Sequence, residues 1–128
     1  MGDWRSFKFT VTESAGLVHG ELYLVQETAG VVFVGKAKYD ADGCKVDPPA
    51  YEYGEEAVLI YHAEKIIVDK IAGNGEAALP GDKAYWSGVY ATGVSPVKQS
   101  GWYWIGIFTE PALEDDTEAE IDLKGDKA

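Results

Sequence analysis

The chain has one cysteine, one methionine, two histidines and half as many basic residues as acidic ones. A single cysteine, Cys44, excludes an intrachain disulfide and any thiolate metal centre that draws several cysteines from one chain. A reducing compartment fits. In the polar stretch Asp42-Gly43-Cys44-Lys45 the thiol reads as partly exposed and without a role. His19 and His62 stand 43 positions apart, with no helical spacing that would join them on a metal. They read as turn or strand-edge residues, each replaceable by alanine with little effect, and neither a metal nor a cofactor is expected. The shortage of lysine and arginine leaves a formal net charge of −11. That charge repels phosphate backbones and anionic lipids alike, so neither nucleic acid nor a membrane surface is an expected partner. No apolar run approaches the roughly 18 residues that cross a bilayer. Met1-Gly2-Asp3-Trp4 also lacks the basic, then apolar opening of a secretory signal. The expectation is a soluble, unexported chain.

A sustained helical period is missing as well, and 15 glycines favour turns over long helices. At 128 residues the chain fits one domain, large enough to bury about two-thirds of its unfolded surface. The expected fold is all-β, a small β-barrel-like or β-sandwich domain with one or two short helical turns. Ser6 to Thr12 alternates strictly, Phe7, Phe9 and Val11 on one side and Lys8 and Thr10 on the other. Leu17 to Val25 and Val31 to Ala37 form a hairpin about Glu27-Thr28-Ala29-Gly30. Tyr39 to Tyr53 reads as a loop. Ala57 to Tyr61 and Lys65 to Ile71 are two strands whose apolar runs imply burial on both faces. Helical turns are expected at Gly75 to Leu79 and at Pro111-Ala112-Leu113. Lys83 to Trp86 and Gly88 to Ala91 should pair around Ser87. Trp102 to Thr109 is the most aromatic strand, and Glu118 to Lys124 turns Ala119, Ile121 and Leu123 inward.

Motifs for chemistry are scarce. No Gly-x-Ser-x-Gly elbow occurs. Gly88-Val89-Tyr90-Ala91-Thr92-Gly93 runs into Val94-Ser95, without the lysine of a phosphate-binding loop. No catalytic residue is proposed, and the chain is not expected to be an enzyme. Glu110 to Asp122 holds seven carboxylates and no basic residue, but not the spacing of a calcium loop. It reads as a solvated acidic face. Alternation would put Trp102 and Trp104 on one face, as core, subunit interface or a sugar-stacking platform.

One family resemblance runs through residues 14 to 124. It comprises Gly54-Glu55-Glu56-Ala57-Val58-Leu59-Ile60, the strand Lys65-Ile66-Ile67-Val68, the turn Gly81-Asp82-Lys83-Ala84-Tyr85-Trp86, the strand Trp102-Tyr103-Trp104-Ile105-Gly106-Ile107-Phe108, and the closing Ala119-Glu120-Ile121-Asp122-Leu123. In order and spacing these segments resemble the phage capsid cement, or head decoration, proteins, members of which are sometimes labelled as recombinases. The resemblance implies a structural virion protein, a homotrimer on the capsid exterior, made in the host cytoplasm and partnered by the major capsid protein and by itself. The aromatic residues Trp4, Phe7, Phe9, Trp86, Trp102 and Trp104 are the candidate capsid or subunit interface. Residues 1–13 lie ahead of the decoration domain, residues 14–128, and are expected to form an arm that adds a strand to a neighbour's sheet. The alternative reading is a carbohydrate-binding module that stacks sugars on exposed Trp86, Trp102 or Trp104.

Overall fold

The alternation near the N-terminus is realised as strand β1, Arg5–Thr10, in a computed structural model that describes residues 4–35 and 37–125. After β1 come β2 (Leu17–Val18), β3 (Leu22–Val25), β4 (Thr28–Phe33), β5 (Lys38–Tyr39), β6 (Lys45–Val46) and β7 (Ala50–Tyr51). A long β8 (Glu56–Asp69) is followed by β9 (Lys83–Trp86), β10 (Tyr103–Phe108) and β11 (Glu118–Lys124). The chain is all-β, and its main sheet runs β3-β4-β8-β11-β10-β9, with β1 paired to β8. Every strand pairing in it is antiparallel.

β8 is the spine. β1 pairs with its first half, from Thr10 opposite Glu56 to Arg5 opposite His62, and β11 pairs with its second half, from Lys124 opposite His62 to Glu118 opposite Asp69. His62 has Arg5 on one side and Lys124 on the other, so β1 takes one edge of β8, while β4, paired at Val58–Ile60, and β11 lie end to end along the other, where Gly125 meets the Ala29 backbone. Where two strands were expected there is one, because ladder hydrogen bonds carry the backbone through the polar stretch between the apolar runs. A β-bulge at Lys65, with φ of 54°, shifts the register opposite Ile121 and Leu123. The Lys65 N–H turns to the Asp122 carboxylate at 3.0 Å, and such a bulge bends a strand and steepens its twist.

Two cores lie on opposite faces of the β3–β4 hairpin. Val31 and Leu22 face one, with Val68, Trp86, Val94, Ile105, Phe108, Ile121 and Leu123. Val32 faces the other, with Val11, Leu17, Tyr51, Ala57 and Leu59, partly covered by Phe7, Phe9, Tyr23, Val25 and Tyr90. Burial on both faces belongs to β4, whose residues Ala29 to Val32 are all buried. The hairpin turns at Gln26-Glu27, since Val25 pairs with Thr28 and Gln26 takes a φ of 55°.

The sheet curls around each core. Val94 bridges Lys70 and Ser95 bridges Tyr85, so one short segment links the end of β8 to β9 and gives β8, β11, β10 and β9 a barrel-like closure. Gly93 permits the approach, because a Cβ there would stand 2.7 Å from the Lys70 backbone. On the other side the Phe9 ring of β1 stacks on Tyr23 of β3 with centroids 5.7 Å apart, which draws opposite edges of the sheet together.

Several expectations need correction. Described from Trp4 onward, the arm of residues 1–13 is an edge strand of its own sheet: Phe7, Phe9 and Val11 have an apolar face to bury, and core two lies beside it. Residues 1–3 fall outside the described residues. Neither Gly75–Leu79 nor Pro111–Leu113 is helical; Ala78 and Ala112 bridge each other, and a turn follows each bridge, from Leu79 to Asp82 and from Leu113 to Asp116. Tyr85 pairs with Ser95, so Gly88–Ala91 is a turn rather than a partner strand. The loop from Tyr39 to Tyr53 contains short pairs, β5 with β6 and β7 with β2.

Candidate functional site

The six aromatic residues singled out for an interface part company in three dimensions. Trp86 is fully buried in core one, where its indole N–H donates to the Thr92 carbonyl at 3.1 Å and hydroxyl at 3.0 Å. It is corrected from interface and sugar-platform candidate to core residue: β9 lies under the closing Val94–Ser95 segment, and its inward side has no route to a partner. Phe7 and Phe9 are half-buried and belong to a row of rings in contact, Tyr61, Phe7, Phe9, Tyr23 and Tyr90. Tyr23 donates to Glu13, and the Tyr90 hydroxyl accepts the Val18 N–H at 2.8 Å, so two of the row's hydroxyls are tied down. Trp4 remains exposed at the head of β1.

Trp102 and Trp104 are half-buried, but Trp102 precedes β10 and sits in a turn closed by its N–H on the Gln99 carbonyl. Strand alternation does not extend to it. Trp104 donates its indole N–H to Gly106 O at 2.7 Å, and the Lys83 ammonium lies 5.8 Å from its ring centroid. That cation lies over one face of the ring.

His19 is a structural acceptor: its Nδ1 takes the N–H of buried Val34 at 2.9 Å, and its ring leans on Phe33. The expectation of a dispensable His19 is therefore corrected. His62 lies in β8, opposite Arg5 and Lys124. Among the described residues no group of three or more His, Cys, Asp and Glu side chains is arranged to hold a metal ion. Cys44 is exposed, at a hairpin tip where Asp40 Oδ1 accepts the N–H groups of Asp42 and Cys44.

Two features were not read from the sequence. The first is a carboxyl pair, Glu21 with Asp69, in a cavity also lined by His19, Gly20, Ile67, Val68 and Glu118. Glu21 Oε2 is sealed from solvent and has no donor within reach. Burial, then a hydrogen bond with Asp69 and that residue's charge, push Glu21 up to about 7. Loss of water around the carboxyl disfavours its charged form, and the neighbouring Asp69 carboxylate acts in the same direction.

The second is a platform built from two turns. Ala78 and Ala112 exchange both backbone hydrogen bonds at 2.9 Å. The next residue in each segment, Leu79 and Leu113, is 66% and 72% exposed. Each leucine N–H is held by an aspartate three residues on, Asp82 at 2.9 Å and Asp116 at 2.8 Å, whose own N–H returns to the leucine carbonyl. Glu114 knits the turns together, accepting the Gly75 N–H on its side chain at 2.6 Å and the Gly73 N–H on its carbonyl at 2.8 Å. A shallow cleft beside Leu79 is lined by Gly75, Ala77, Asp82, Lys83, Pro96 and Val97. No residue pattern announces either feature, since both join segments more than thirty positions apart.

Compared with known proteins, the chain matches no family model, no curated protein and no solved structure.

Proposed function

We propose that this chain is a capsid decoration protein, which binds the outer surface of an assembled phage head, as a trimer, and stabilises it by bridging neighbouring shell subunits. The resemblance in residues 14 to 124 suggests the class. The observation that carries the reading is the platform: large apolar side chains held outward by reciprocal hydrogen bonds on a hydrogen-bonded body. Rigid, exposed apolar anchors lose little conformational freedom on docking, which is what a protein that acts through contact area requires. Such a protein needs about 1,600 Å² of well-packed interface per contact, and repetition over a shell multiplies a modest affinity. Trp4 offers a further exposed aromatic at the start of β1, beside the middle of the spine, where Arg5 stands opposite His62.

The test is direct. Purified protein is mixed with expanded heads of the phage that encodes it, and occupancy is read by sedimentation and electron microscopy, with the free oligomer sized by light scattering. Saturable binding and a trimer support the reading. A monomer that does not bind heads at any salt concentration sinks it.

A further inference from the structure

We propose that the Leu79–Leu113 platform is the docking face of the molecule, and that it takes a protein surface with an apolar centre and a basic rim. This rests on the decoration reading, and on it the occupant is the capsid shell, not a second copy of this chain.

Orientation comes first. Ala78 and Ala112 turn inward, 1% and 5% exposed, so the residue after each turns outward, and both leucines leave the bridge on its solvent side. Most exposed leucines sweep several rotamers over a mobile loop. Here the backbone of each is closed by its own aspartate, and the two turns are joined through Glu114 and the alanine bridge. An anchor fixed in this way is preorganised for a socket.

Charge identifies the occupant. Glu110, Glu114 and Asp115 are exposed around Leu113, and no basic residue occurs from Glu110 to Leu123. A two-fold contact through this face would use one patch twice, bringing Glu110, Glu114 and Asp115 of both copies into a single interface with the exposed Lys83 beside the Leu79 turn as a cation against them. Like charges brought together oppose association. A head-to-tail contact would need a basic patch elsewhere on a chain whose net charge is −11. A phosphate-bearing partner is repelled for the same reason. What remains is a protein surface that presents lysine or arginine around an apolar depression.

The experiment uses the full chain and expanded heads. Three variants are made: L79S/L113S, E110K/D115K, and one carrying a photo-crosslinking phenylalanine analogue at position 113, with Tyr53 as control position. L79S/L113S should bind heads at least about tenfold more weakly, the loss of a hot spot, with an unchanged melting temperature. E110K/D115K should also bind more weakly and lose much of the wild-type sensitivity to salt. The crosslink from position 113 should join the major shell protein at a peptide containing lysine or arginine. Wild-type affinity in both double variants, or a crosslink from position 113 that captures only another copy of this chain, overturns the docking face while leaving decoration intact. Failure of the wild type itself to bind heads removes the decoration reading, and the docking face with it.

Discussion

At the scale of single residues, position in the fold decides what each polar atom must do. His19 shows this most directly, because the Val34 amide it satisfies is buried and lies in the chain just past the end of β4. A buried N–H deprived of its acceptor costs about 1–3 kcal/mol. His19→Ala should therefore lower the unfolding free energy by an amount in that range, read as a fall in the urea midpoint, whereas His19→Asn, whose side-chain oxygen can accept the same bond, should recover part of it. Equal midpoints for wild type and His19→Ala would remove the structural role. Trp86 makes the parallel case for a side chain whose aromatic character drew attention as an interface and whose place is the core. Its residue type was legible, but its direction was not, since β9 has four residues and only its bridge to Ser95 closes it over.

At the scale of elements, two predictions concern how strands are held. β1 supplies Phe7 and Phe9 to core two, and Val11 just beyond it is fully buried. Deletion of residues 4–12 should unfold the chain or lower its melting temperature by more than about 10 °C. A truncated protein with the native circular dichroism spectrum and melting temperature would restore β1 to the status of a detachable arm. The second prediction concerns the segment leading into β3, joined to β8 through Glu21 and Asp69. Glu21 binds its proton more tightly folded, with a value near 7, than unfolded, where a glutamate has about 4.5. Between those values the folded state holds the extra proton, so stability falls as pH rises. The contribution is complete below about 4.5 and gone once pH has passed through about 7. His19 and Glu118 face the same cavity, and the Tyr90 hydroxyl lies within the field of Glu21. The urea midpoint should drop from pH 5 to pH 8, and Glu21→Gln, which keeps a donor without needing the proton, should flatten that drop. The same slope in wild type and Glu21→Gln would locate the titration elsewhere.

At the scale of the whole molecule, the shared spine ties the two cores together. Leu59 in the first half of β8 packs in core two and Val68 in the second half packs in core one, while the β3–β4 hairpin presents a face to each. Loss of either core strips one side of that hairpin, so the chain should unfold as one cooperative unit. Hydrogen exchange under mild denaturant checks this, the amides of Leu59 and Val68 losing protection at the same free energy. Separate free energies would mean two units that fold independently. The acidic balance also acts at this scale: it leaves partner surfaces of opposite charge as the favourable ones, which is why salt enters the head-binding experiment.

The sequence by itself determined the all-β class and the strands that bury one face, because alternation with period two is a local property that side chains carry with them. Glu118 to Lys124 was legible for that reason, its inward Ala119, Ile121 and Leu123 all buried. Composition likewise determined the charge and excluded an intrachain disulfide. Only the tertiary structure decided the rest. Two-residue strands such as β5, β6 and β7 have no period to read, and β8 runs unbroken through His62 and Glu64 because neighbouring strands supply hydrogen bonds that its own sequence does not announce. The carboxyl pair of Glu21 and Asp69 and the platform of Leu79 and Leu113 join residues 48 and 34 positions apart. No local pattern encodes such a meeting; it follows from the curl of the sheet, which is set by packing on both cores at once.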